Sequence, residues 1–80
     1  MAIKLVFLGK LADLAGALER ELAGPLDWSG LLAALPEAAA EAAKGERVKL
    51  ALNGTVLADK TALAAKDGDE IALLPPVSGG

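Results

Sequence analysis

Asp27-Trp28-Ser29-Gly30-Leu31-Leu32-Ala33-Ala34-Leu35 carries its large apolar side chains, Trp28, Leu31, Leu32 and Leu35, at positions i, i+3, i+4 and i+7. That spacing draws one apolar stripe down a helix, and Asp27 is placed to accept a hydrogen bond from the first free backbone N–H groups. Pro36 lacks the N–H that the next turn needs and clashes with the turn before it, so the helix breaks or kinks there. Glu37 to Lys44 is alanine-rich and continues as a second helical piece until Gly45. A helix with one apolar stripe needs an apolar sheet face to cover.

The flanking segments supply that sheet. Downstream, Arg47 to Leu52 alternates, with Val48, Leu50 and Leu52 facing inward and Lys49 and Ala51 outward. Asn53-Gly54 follows, a pair that tolerates positive φ at both positions of a tight hairpin, and Thr55 to Ala58 is the return strand. Asp67-Gly68-Asp69 is a turn into a last strand, Glu70 to Leu74, with Ile71 and Leu73 on the core face and Leu74 on the other. Upstream, Ala2 to Leu8 is a strand whose Ile3, Leu5 and Phe7 share one face while Lys4, Val6 and Leu8 share the other. Lysine avoids burial, so Leu8 looks outward. Lys10 to Ala15 is a helical turn closed by Gly16. Ala17 to Ala23 is a weaker strand suited to a sheet edge, because Arg20 interrupts its apolar face, and Gly24-Pro25 ends it. The expected class is α+β: a mixed sheet covered on one face by a main helix.

Composition narrows the chemistry. The 80 residues include no cysteine, histidine or tyrosine, which removes disulfides, thiolate or imidazole metal sites, a cysteine nucleophile and every triad with a histidine base. The hydroxyl side chains are Ser29, Thr55, Thr61 and Ser78, with no histidine to activate them. A net charge of −3 without a basic tract makes nucleic acid and anionic membranes poor partners. No apolar run approaches the ~20 residues that cross a bilayer. With no basic leader at the N-terminus, the expected setting is the cytoplasm. Phe7 and Trp28 are the aromatic residues. The core is therefore expected to consist of leucine, isoleucine and valine.

The ending is the chemically informative part. Residues 1–74 read as the folded domain and 75–80, Pro75-Pro76-Val77-Ser78-Gly79-Gly80, as an extended tail. Two prolines stop the strand ladder and favour a stiff extended backbone. Six residues at ~3.3 Å each reach about 20 Å, enough to enter another protein's active site. A main-chain carboxylate is a poor electrophile until it is activated, for example as an acyl-adenylate. An enzyme that performs this step must thread the backbone through a narrow channel, where only glycine passes without steric cost. An activated Gly80 then accepts either a lysine amine or a sulfur donor. Glycines are also common at disordered chain ends, so the pair draws its weight from the strand, the proline spacer and the diglycine together.

Leu73-Leu74-Pro75-Pro76-Val77-Ser78-Gly79-Gly80 resembles the ending of the small, sulfur-carrying subunits of molybdopterin synthase, a ubiquitin-like β-grasp family. Supporting pieces are Ile3-Lys4-Leu5-Val6-Phe7, Leu11-Ala12-Asp13-Leu14-Ala15-Gly16, Leu52-Asn53-Gly54 and Lys66-Asp67-Gly68-Asp69-Glu70-Ile71-Ala72. The resemblance implies a β-grasp fold and a sulfur-carrier function in molybdenum cofactor biosynthesis. Gly80 would be adenylated with ATP by an E1-like adenylating enzyme, then converted to a thiocarboxylate by a sulfurtransferase. The large subunit, paired with this chain in a heterotetramer, would receive the tail, and sulfur would pass to cyclic pyranopterin monophosphate. Gly79 would allow passage, and Pro75, Pro76, Val77 and Ser78 would line the channel. Leu8, Val56 and Leu74 match the family's apolar partner patch. No cofactor is expected on the chain itself, which would donate sulfur without catalytic residues of its own. Pro36 and the alanine-rich segment after it depart from the family pattern, as do leucines at outward sheet positions that are often aromatic.

Other readings are weaker. Gly9-Lys10 lacks the remaining residues of a phosphate loop. Asp67, Asp69 and Glu70 lack calcium-loop spacing and read as a turn. Glu37 and Glu41 form a solvated helix face, Trp28 with Leu31 reads as core, and Lys44, Glu46, Arg47 and Lys49 decorate the sheet rim. Three functional alternatives stand beside the first. They are a sulfur carrier for thiazole synthesis, whose spacer before the diglycine usually differs, a ubiquitin-like modifier joined to lysines, and an interaction module with an inert tail.

Overall fold

The computed structural model describes residues 2–75, so the expectations for Pro76, Val77, Ser78, Gly79 and Gly80 lie outside the described residues. Strand β1 (Ile3–Phe7) leads into helix α1 (Lys10–Ala15), which Gly16 closes in the left-handed conformation at φ 76°. Strands β2 (Glu19–Leu22) and β3 (Leu26–Asp27) precede helices α2 (Trp28–Ala34) and α3 (Glu37–Ala43). Strands β4 (Lys49–Leu52) and β5 (Thr55–Val56) form the hairpin, with Asn53 at φ 50° and Gly54 at φ 86°. A 3₁₀ turn (Lys60–Ala62), β6 (Ala64–Ala65) and β7 (Glu70–Leu74) complete the described chain.

Five strands form one sheet in the order β2-β1-β7-β4-β5. The central β1–β7 pair is parallel and the other three pairings are antiparallel. This is the β-grasp arrangement. Its inner face is built from Ile3, Leu5, Phe7, Leu50, Ile71 and Leu73, and each is essentially removed from solvent. Leu11 of α1, Leu31 of α2 and Ala39 and Ala43 of α3 cover it, with Leu35 from the link between α2 and α3. Of the stripe on 27–35, Leu31 and Leu35 are buried as its spacing predicts, while Trp28, expected in the core with Leu31, and Leu32 are only partly buried and pack against its edge. Asp27 caps α2 by accepting the Gly30 N–H at 2.8 Å, and Pro36 separates α2 from α3.

Several expectations are corrected in detail. Ala39, Ala43 and Ala65 are core residues beside Phe7, the leucines, the isoleucines and one valine, because a methyl side chain lets a helix or strand approach closely. Segment 17–23 contributes strand only over Glu19–Leu22, and Leu18, just before it, is 73% exposed. The strand expected from Arg47 begins at Lys49, because the Val48 N–H turns back to the Gly45 carbonyl at 3.1 Å. The return strand ends at Val56, although the Leu57 N–H still reaches the Leu50 carbonyl at 2.8 Å. Strands β3 and β6 pair as a separate two-stranded sheet, too short at two residues each to leave a periodic pattern.

Two polar clusters fasten the loops. The Lys60 ammonium donates to the carbonyls of Val48, at 2.8 Å, and Gly45, and lies 5.8 Å from the centre of the Trp28 ring. Burial and the nearby Lys49 charge hold its pKa below the usual lysine value, with Glu46 opposing. One side chain thereby joins the link between α3 and β4 to the outer flank of α2. Lys60→Met keeps the aliphatic stem and loses the charged donor. The expected cost is about 1.5–2 kcal/mol, at the low end of the range for hydrogen bonds to charged groups, read as a thermal midpoint roughly 6–16 °C lower. An unchanged midpoint would show that solvent replaces those bonds without loss.

The second cluster joins the hairpin to the turn before β7. Asp69 accepts from Asn53 Nδ2 and from the Lys66 N–H, both at 3.0 Å, while Asn53 Oδ1 accepts the Glu70 N–H at 2.9 Å. The turn predicted over 67–69 is present, and Asp69 in it is buried rather than solvated. The Asn53 hydrogen bond, then the Lys66 N–H, hold the Asp69 carboxyl below the usual aspartate range. A depressed folded-state pKa stabilises the fold fully above the unfolded value of ~3.9 and loses that contribution as pH falls through the folded value. Urea midpoints of wild type and Asp69→Asn should therefore differ at about pH 6 and converge toward about pH 2. A gap independent of pH would refute the assignment.

Candidate functional site

The face of the sheet away from the helices holds the three partner-facing residues of the sequence reading. Across the strands, Val56 stands opposite Ala51, Ala51 opposite Ala72, and Ala72 opposite Val6, in one apolar row. The next row sets Lys49 opposite Leu74, and Leu8 continues β1 beside it, its N–H donating to the Leu73 carbonyl at 3.3 Å. Strands ~4.8 Å apart space the residues along each row, and same-face residues ~6.6 Å apart along a strand separate the rows, so Val6, Leu8, Ala51, Val56, Ala72 and Leu74 form one apolar surface with Lys49 at its edge. Leu8 is 42% and Val56 54% exposed, and Leu74 is half-buried between its neighbours. Ala51, outward as predicted, is nevertheless buried because Val56 and Ala72 stand on either side of it.

Charges frame this surface. Lys4 and Glu19 pair at 3.5 Å beyond the apolar rows, and Lys49 stands beside Leu74. Solvent-exposed pairs of this kind contribute little to stability. Leu8, Val56 and Leu74 are thus brought onto one face. The alternation also carried Val6, Ala51 and Ala72 on that face, but single small residues in a pattern do not announce the surface they complete.

At the upper end of β7 the ladder stops at Pro75, which has no N–H to donate. Pro75 is half-buried, and its ring lies against Gly9, the residue that precedes α1. A Cβ on Gly9 would stand 3.2 Å from Pro75 Cγ. Gly9 has φ 57° and ψ −134°, a conformation that glycine adopts freely and other residues do not. Sequence reasoning considered Gly9-Lys10 only as a phosphate-loop fragment, and the contact with Pro75 left no signal there because it joins opposite ends of the chain. Glu37 and Glu41 are exposed, and Glu41 pairs with Lys44 at 2.8 Å. Among the described residues, no group of three histidine, cysteine, aspartate or glutamate side chains could hold a metal ion, and no helix is long and apolar enough to cross a membrane. An exposed apolar sheet face thus lies beside the end of β7.

The sequence model of the ThiS family matches residues 5–80. A molybdopterin synthase sulfur carrier subunit from Chlamydomonas reinhardtii is 36% identical over 85 aligned positions that span all of both chains. Among solved structures, small archaeal modifier protein 1 from Methanosarcina acetivorans superposes with a TM-score of 0.74 at 27% identity, covering 99% of this chain and 96% of that one. A complex of subunits 1 and 2 of the molybdopterin-converting factor from Helicobacter pylori contains a chain matched with a TM-score of 0.66 at 29% identity, over the full length of both.

Proposed function

Because this chain belongs to the ThiS family, whose match runs through Gly80, we propose that it is the sulfur-carrier subunit of a molybdopterin synthase. The observation that carries this reading is the full-length likeness to a named sulfur carrier subunit of that enzyme. In this reading the Gly80 carboxylate attacks ATP on an E1-like adenylating enzyme, forming an acyl-adenylate and releasing pyrophosphate. The persulfide of a sulfurtransferase displaces AMP to give an acyl disulfide, and a thiol then cleaves its S–S bond, forming a disulfide with the sulfurtransferase cysteine and releasing the thiocarboxylate. The tail then enters the large subunit, where sulfur passes to cyclic pyranopterin monophosphate and water returns Gly80 to a carboxylate. Pro75, Pro76, Val77 and Ser78 line the channel and Gly79 allows passage, while Leu8, Val56 and Leu74 meet the partner's apolar surface.

This division suits the side chains available. A chain without cysteine or histidine has no thiol to hold reactive sulfur and no side chain whose unperturbed pKa lies near neutrality, which goes with a partner that supplies the catalytic groups. The pairing in the Helicobacter pylori complex supports a large-subunit partner. A cytoplasmic setting, where ATP is present, goes with the activation step.

A second reading is favoured by the structural likeness to small archaeal modifier protein 1: Gly80 joined to lysines of other proteins. One experiment separates the two. Expressed in cells lacking their own small subunit, the chain is expected to restore molybdoenzyme activity and to accumulate in sulfurised form. Lysine conjugates without restored activity would favour the modifier reading.

A further inference from the structure

We infer that the apolar sheet face is recognised together with two charged corners of opposite sign: its partner brings cationic side chains to Glu19, Glu21 and Glu70 and a carboxylate to Lys49. That the partner is the large subunit rests on the sulfur-carrier reading, whereas the charge pattern comes from the register of the strands. At the foot of the outer face, Lys4 stands between Glu21 on β2 and Glu70 on β7. The Lys4 ammonium pairs with Glu19 at 3.5 Å, and among the described residues no ion pair holds Glu21 or Glu70. Lys66, in the turn before β7, is paired with Asp69 at 3.7 Å. Three exposed carboxylates thus surround one ammonium. At the other end Lys49 stands opposite Leu74, exposed and without an ion pair among the described residues.

Glu21 and Lys49 occupy diagonal corners of this face. Three strand spacings of ~4.8 Å and four residues of ~3.3 Å set them about 20 Å apart. That is well beyond the screening length of ~8 Å at physiological ionic strength, so each corner acts on the group that lies over it and not on the other corner. The apolar band between them gives no direction, because burial of apolar surface is non-directional. A partner turned half a revolution on the band sets like charges against both corners, and such contacts oppose association. The corners therefore select one orientation, with Lys49 marking the end where Pro75 leaves the sheet. The band covers roughly 200 Å², a fraction of the ~800 Å² on each side of a stable complex, so a lasting partner also covers the charged corners. A second copy is the poorer occupant, because both copies carry the same net charge of −3.

The test is the rate of association with the large subunit, measured by stopped flow at low and at high salt. Glu19→Lys/Glu21→Lys and Lys49→Glu move the net charge in opposite directions, yet both are expected to slow association, by about tenfold and about threefold at low salt. The triple variant should be slowed by the product of the two, because the corners are far apart. Each loss should shrink at high salt, where the screening length falls to ~3 Å at 1 M. Attraction governed by net charge alone would slow one variant and speed the other, and that result would overturn the inference, as would rates equal to wild type. Glu37→Lys/Glu41→Lys makes the same charge change on α3, whose buried side covers the opposite face of the sheet, and should leave the rate within about twofold. Equal slowing by this control would also overturn the inference. Circular dichroism monitors the fold. If a charge-reversed variant fails to fold, Glu19→Gln/Glu21→Gln and Lys49→Gln decide by the same criterion, both slowing or not. A free chain that sediments as a dimer, and as a monomer in Lys49→Glu, would give the face to a second copy and overturn the choice of partner. A wild type that does not bind the large subunit would sink the sulfur-carrier reading and the inference together, whereas binding that ignores both corners sinks the inference alone.

Discussion

Deletion of Gly80 is expected to leave the domain folded and to reduce sulfur transfer by at least about 100-fold. The first half follows from where the stabilising surface lies. Every buried apolar residue described falls between Ile3 and Leu73, so the thermal midpoint should shift by no more than about 1 °C. The second half follows from reach. Removing one residue withdraws the terminal carboxylate by ~3.3–3.6 Å, several times the misplacement that already costs two orders of magnitude. A truncated chain that ends in Gly79 still carries a glycine carboxylate, so the experiment separates the need for a glycine from the need for a correct length. Full activity of the shortened protein would mean that the tail tip is not the working group.

Leu74→Glu is expected to weaken binding to the large subunit by at least about 100-fold, with the monomer still folded. Leu74 lies on the outer face, opposite Lys49 and beside Leu8, away from the core cluster. A glutamate there remains solvated in the free chain and has Lys49 for a neighbour. In a complex that covers Leu8, Leu74 and Val56, the same carboxylate must lose its water among apolar side chains. Isothermal titration against the large subunit measures the loss, and circular dichroism monitors the fold. Binding at wild-type strength would show that this face is not the one covered.

The reading of these elements from sequence succeeded where a single physical rule dominated. The stripe Trp28, Leu31, Leu32 and Leu35, the Asp27 cap, the Asn53-Gly54 hairpin and the alternation of Ile3, Leu5 and Phe7 all reappear. The same alternation placed Leu8 and Leu74 outward before any pairing was known, and the register then set them side by side. What escaped the sequence depends on contacts between distant segments. The burial of Ala39 and Ala43 depends on how closely α3 approaches α1 and α2, which no local pattern records. The Asp69–Asn53 latch spans 16 residues, and the Gly9–Pro75 contact joins the start of one helix to the end of the last strand. Each of these requires the sheet order to be known first.

The central proposition is that the chain's working group is a main-chain carboxylate at Gly80. Intact mass spectrometry tests it most directly, after incubation with an adenylating enzyme, ATP and a sulfurtransferase supplied with its sulfur donor. The predicted result is a gain equal to the difference between one sulfur and one oxygen atom, dependent on ATP and absent when Gly80 is deleted. A chain that keeps its original mass while a known carrier in the same mixture is sulfurised would contradict the proposition.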